Sequence, residues 1–169
     1  VIATKILIKL GYSVVVSTGK LEEQKEVLLN LGVKDVIHRS EVDDNSGRPL
    51  LRPRWAGVID TVGGNTLATA IKTTNYCGAV TTCGNAGGVD FTSSVYPFIL
   101  KGITLYGIDS VDCPMNLRLK IWDLLSNEWK LDDLDDMVNV VSLEELNDSI
   151  DSIMAGKHVG RTVVDLEKI

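Results

Sequence analysis

The sequence has little cysteine, little histidine and no excess of basic charge. Its 169 residues hold 3 cysteines, Cys77, Cys83 and Cys113, an odd count without a C-x-x-C pair. That spacing argues against zinc ligation by this chain and predicts reduced, mostly buried thiols of the kind found in cytoplasmic proteins. The 2 histidines, His38 and His158, stand in no spacing that suggests a metal site or a catalytic triad. No G-x-S-x-G and no H-E-x-x-H occurs. The formal net charge of −6 argues against a nucleic-acid partner, because binding a phosphate backbone needs a basic face. A small anionic ligand held by a few local cations is still compatible with it. No apolar run approaches the roughly 20 residues of a membrane span, and the start shows no secretory signal pattern. Repeats and low-complexity segments are missing as well.

What is present is an alternation of short apolar strands and amphipathic helices. Ile2, Ile6, Leu7 and Leu10 fall at helical spacing, with Gly11 as a stop. The chain therefore opens inside a helix, without the strand and glycine-rich turn expected before it. Val14–Val16 reads as a strand, and a helix follows from about Leu21 to Leu31. Asp35-Val36-Ile37 is a second strand. Residues 41–54 are polar and contain two prolines, which predicts a loop. Ala56–Asp60, Gly78–Thr82 and Ile103–Gly107 read as further strands, with a helix between the first two capped by Asn65. Leu117–Lys130 is amphipathic, and Ser142-Leu143-Glu144-Glu145 has the form of a capping box before another helix. Arg161–Leu166 reads as a final strand.

This pattern predicts an α/β fold, a Rossmann-like doubly wound parallel sheet lacking its first strand and glycine-rich loop. In such sheets ligands bind outside the carboxyl ends of the strands. Here those ends carry glycine, hydroxyl and amide residues, which predicts one shared crevice. At the end of the Val14–Val16 strand an Asp or Glu would select NAD by accepting from the ribose 2′-hydroxyl. Ser17, Thr18, Gly19 and Lys20 stand there instead, and Arg39 follows the next strand. Hydroxyls, a backbone amide and two cations suit a 2′-phosphate, so NADP is the expected cofactor. Gly84, Asn85 and Ala86, with Ile108 and Asp109, end later strands and are expected at the nicotinamide half. Asp60 is expected to orient backbone amides in its turn. No residue qualifies as a catalytic proton donor, and none as a metal ligand.

The Ser17–Lys20 strand end and Asp60-Thr61-Val62-Gly63 resemble the medium-chain dehydrogenase/reductase superfamily. Tyr96-Pro97-Phe98-Ile99-Leu100-Lys101-Gly102, then Leu105–Val111 and Pro114, resemble its zinc-free quinone oxidoreductase-like branch, which includes acrylyl-CoA reductases. Gly160–Val164 fits the same branch. The resemblance implies an NADPH-dependent reductase of an activated carbon–carbon double bond in a small molecule, an enone, quinone or acrylyl thioester. It implies a longer protein with an N-terminal GroES-like substrate domain. Residues 1–160 would then be a truncated cofactor-binding domain, expected to be inactive alone, and 161–169 a strand that rejoins the substrate domain. A cytoplasmic homodimer, pairing through the edge strand Ile103–Gly107, is a further expectation. Two other readings are a zinc alcohol dehydrogenase and a non-catalytic dinucleotide-sensing or interaction domain.

Overall fold

The computed structural model describes residues 1–168. Two compact units divide the chain, one spanning Ser13–Leu119, the other joining Val1–Tyr12 to the chain from Lys120 onward.

In the Ser13–Leu119 unit the elements run β1 (Val15–Thr18), α2 (Leu21–Asn30), β2 (Asp35–His38), a 3-10 turn at Arg39–Val42, β3 (Trp55–Asp60), α3 (Gly64–Thr73), β4 (Thr74–Thr82), α4 (Tyr96–Lys101) and β5 (Thr104–Gly107), with α1 (Ile2–Lys9) preceding them. All strand pairs are parallel, and helices connect them, as the alternation predicts. They form a two-stranded sheet β1-β2 and a three-stranded sheet β3-β4-β5. Among the described residues, β1 and β3 are each paired along one edge only.

The core lies where α3 crosses the larger sheet. Leu67, Ala70 and Ile71 from the helix pack with Val80 and Ile103, and Val58, Phe98 and Leu105 close around them. These helix residues recur at three- and four-residue spacing, which puts them on one face. Two cations fasten the far end of α3. Lys72 pairs with Asp44 at 2.8 Å, the side chains being 11% and 16% exposed, and this contact holds the Asp44 carboxyl below the usual carboxylate range. Lys101 donates to the carbonyls of Lys72 (2.9 Å), Thr74 (3.2 Å) and Leu51 (3.4 Å). Two of these carbonyls, of Lys72 and Thr74, belong to the end of α3, and the third ties in the loop before β3. Burial lowers the Lys101 pKa from the ordinary lysine value.

Some local readings change. Asn65 does not cap α3; Gly63 occupies that position, at φ 71°. The Asn65 amide instead donates to Asp43 Oδ1 (2.6 Å) and the Asp44 carbonyl (3.0 Å), tying the polar loop down. The helix predicted to reach about Asn75 ends at Thr73, and β4 begins at once. A bulge between the Trp55–Thr74 and Gly57–Ala79 pairs takes Asn75–Gly78 out of simple alternation, which hides the start of β4 from periodicity. Cys77 sits in that bulge at φ 56°. Cys77 and Cys83 are exposed and Cys113 is half-buried, so the thiols are less buried than expected.

The second unit contains β6 (Val138–Val141), α6 (Leu146–Met154) and β7 (Arg161–Val164) together with α1, and α5 (Met115–Ser126) is shared. β6 and β7 pair in parallel, Asn139 opposite Thr162. β6 escaped the sequence reading because its four residues, Val-Asn-Val-Val, follow an acidic run that reads as loop. The capping box forms as predicted: the Ser142 amide donates to Glu145 Oε2 (2.8 Å) and the Glu145 amide to Ser142 Oγ (3.3 Å). Among the described residues no helix is long and apolar enough to cross a membrane.

Candidate cofactor site

The first cluster of candidate residues lies at the carboxyl ends of β1 and β2. Register pairs Thr18 with His38, so the two strands end level and Gly19 and Arg39 leave side by side. Glycine matters here for space. A Cβ on Gly19 would stand 3.2 Å from Arg39 Cδ and 3.3 Å from its Nε, so the arginine lies over bare backbone. Thr18 Oγ1 accepts from the Lys20 amide at 3.1 Å and shapes the turn that carries the lysine. Ser17 and Arg39 are exposed. The result is a partly exposed group of hydroxyl, amide and cationic donors, with Thr18 and Lys20 half-buried.

His38, which the sequence reading left without a role, builds the arginine's support. Its Nδ1 accepts from the Ser40 amide (3.3 Å) and lies 2.8 Å from Ser40 Oγ. Glu41 Oε1 accepts from the His38 amide at 3.3 Å. This reciprocal cap starts the Arg39–Val42 turn. The signal was present as an acid three residues after a potential cap, but histidine is an uncommon residue in that position.

The second cluster lies at the carboxyl ends of β3, β4 and β5. Register aligns Asp60 with Thr82 and Thr82 with Gly107, so these three strands also end level. Gly84, Asn85 and Ala86 follow the middle strand, with Asn85 and Ala86 exposed. Ile108 is 52% exposed, and its amide donates to the Thr82 carbonyl at 2.9 Å, extending the ladder by one bond. Asp109 follows and turns its carboxylate onto its own loop, accepting from Val111 N (2.8 Å) and Asp112 N (3.2 Å). Asp60 is 3% exposed and accepts from the amides of Val62 and Gly63 and from Thr82 Oγ1. The structure thus gathers the candidates into two groups on two sheets of one unit. Among the described residues, no group of three or more His, Cys, Asp or Glu side chains is placed to hold a metal ion.

Comparison with known proteins adds the family. The zinc-binding dehydrogenase profile matches residues 1–127. The crystal structure of Bacillus subtilis protein YhfP with NAD bound superposes with a TM-score of 0.90 at 41% identity, covering 98% of this chain and 50% of that one. The structure of Escherichia coli K-12 YhdH with bound NADPH superposes with a TM-score of 0.89 at 37% identity, with the same coverage. The acrylyl-CoA reductase AcuI of Ruegeria pomeroyi is 37% identical over 165 residues, 98% of this chain and 50% of the relative. The chain therefore spans about half the length of the relatives it matches. These similarities agree with the resemblance drawn from Ser17–Lys20 and Tyr96–Val111: the chain belongs to the zinc-binding dehydrogenase family.

Proposed function

We propose that this chain is the cofactor-binding part of an NADPH-dependent oxidoreductase that reduces an activated carbon–carbon double bond, of the enone, quinone or acrylyl thioester type. One observation carries the cofactor choice: Arg39 lies across Gly19 beside Lys20, at a strand end without a carboxylate. The residues fit the group. Ser17, Thr18 and the Gly19 amide would donate to the 2′-phosphate, and Lys20 and Arg39 would neutralise it. Gly84–Ala86, with Ile108 and Asp109, would meet the nicotinamide half. NADPH supplies the hydride chemistry when bound; these residues bind and orient it. Two relatives support the reading, one an acrylyl-CoA reductase and another crystallised with NADPH, while YhfP was crystallised with NAD, so the cofactor choice rests on the strand-end residues. A cytoplasmic setting suits three free thiols.

Fluorescence titration with NADPH and NADH tests the cofactor choice. NADPH is expected to bind at least tenfold tighter, about 1.4 kcal/mol; equal affinities would overturn it. Oxidation of NADPH by a longer form of the protein, in the presence of acrylyl-CoA or an enone, tests the reaction. In the proposed protein residues 161–169 rejoin the substrate domain. Its homodimer forms along β5, whose Tyr106 is 52% exposed and which pairs with β4 alone among the described residues. Sedimentation should give twice the monomer mass, and a Gly107→Pro change on that strand, where an added Cβ meets nothing within 4 Å, should give monomer; a monomeric parent protein would refute the pairing.

A further inference from the structure

The buried carboxylate of Asp60 has more bonds than one turn requires. Oδ2 accepts from the Gly63 amide at 3.0 Å and from Thr82 Oγ1 at 3.0 Å, while Oδ1 accepts from the Val62 amide at 3.2 Å. It therefore fixes the 61–64 turn and ties it to the end of the neighbouring strand. That turn has no clearance from the 84–88 loop. A Cβ on Gly84 would stand 2.2 Å from the Thr61 carbonyl oxygen, and one on Gly63 would stand 2.5 Å from that of Gly88. A Cβ on Gly64 would stand 2.7 Å from the Gly87 oxygen. Backbone contacts join the same two segments: Gly87 N donates to Val62 O at 2.7 Å and Cys83 N to Asp60 O at 3.0 Å. Gly63 and Gly88 form a parallel bridge. Wherever the 61–64 turn goes, the 84–88 loop must follow.

We propose that Asp60 is a positioning residue for the nicotinamide end of the cofactor. It holds the turn on which Gly84, Asn85 and Ala86 are seated, and it does not touch the cofactor itself. This inference rests on the NADPH reading above. It assigns the acid to geometry, not to proton transfer, because its oxygens already face two amides and a hydroxyl inside the protein.

Two variants and two ligands test it. Asp60→Asn keeps the shape but turns an amide group toward donors. Gly84→Ala keeps the carboxylate and displaces the loop. NADPH spans both clusters, whereas adenosine 2′,5′-bisphosphate carries the 2′-phosphate without a nicotinamide. Each variant is expected to weaken NADPH at least tenfold and to leave the bisphosphate within twofold. A merely structural role would weaken both ligands alike or neither, and either pattern overturns the proposal. Hydrogen exchange on the ligand-free chain is the second readout. In Asp60→Asn the amides of Gly87 and Gly88 should exchange at least tenfold faster while Val80 keeps its protection; unchanged exchange at these glycines overturns the proposal. That arm uses no cofactor. Failure of the NADPH reading would show separately, as parent protein that binds the bisphosphate no better than adenosine 5′-monophosphate.

Discussion

Replacing Lys20 and Arg39 together with alanine is expected to weaken NADPH binding on the order of 100-fold and to change NADH binding less than threefold. The magnitude follows from charge-assisted hydrogen bonds, worth roughly 1.5–3 kcal/mol each when partly shielded. Arg39 is exposed, so the lower end applies, and about 1.4 kcal/mol per cation gives two factors of ten. The asymmetry is the informative part, because NADH lacks the group these cations would neutralise. Added salt should weaken NADPH binding more than NADH binding, since exposed charges are screened at a Debye length of about 10 Å in 0.1 M salt. Gly19→Val is a third arm. Its side chain would enter the space of Arg39 Cδ and Nε and push the guanidinium away with both cations still present. A double variant that loses both cofactors in parallel would show that these residues support the turn and do not read the phosphate.

The strand-end placement of the candidate residues is legible because its signals are local. Ser17–Lys20 and Arg39 each follow an apolar strand directly, so strand reading alone places them at strand ends. The parallel register that sets them level is a consequence of the alternating helices. What the sequence hid was contact between segments. Nothing in Gly84 or Gly87 shows that they pack on Thr61 and Val62, since glycine at a strand end reads equally as ordinary turn chemistry. Asparagine favours a cap position, yet Gly63 at positive φ takes it and leaves the Asn65 amide for Asp43. The β4 bulge defeats periodicity for the same reason: four residues, 75–78, stand opposite one on β3, and that excess has meaning only against β3. His38 had a visible partner in Glu41, but its use as a cap depends on the ring tautomer that accepts from Ser40.

Ile71→Ala is the substitution expected to cost most stability, about 2–5 kcal/mol. Ile71 is fully buried, at 0% exposure, and α3 carries it into contact with the small cluster formed with Val80 and Ile103. Truncation removes methyl and methylene groups from water-excluded contacts and leaves a cavity that a helix clamped at its end cannot collapse into. The clamp is the Lys72–Asp44 pair and the Lys101 bonds to the carbonyls of Lys72 and Thr74. In urea the midpoint should fall by roughly 1–2 M with little change in slope. Ile153→Ala, at a residue 55% exposed on α6, should move it far less. A fall equivalent to under 1 kcal/mol for Ile71→Ala would mean that the α3 packing is not where this unit's stability resides. The same variant separates folding from binding. Ile71 lies seven residues into the helix that starts at the Asp60 turn and belongs to neither cluster of candidate residues. Under conditions where Ile71→Ala is still folded, its NADPH affinity should therefore equal that of the parent, whereas Asp60→Asn should lose affinity while remaining folded.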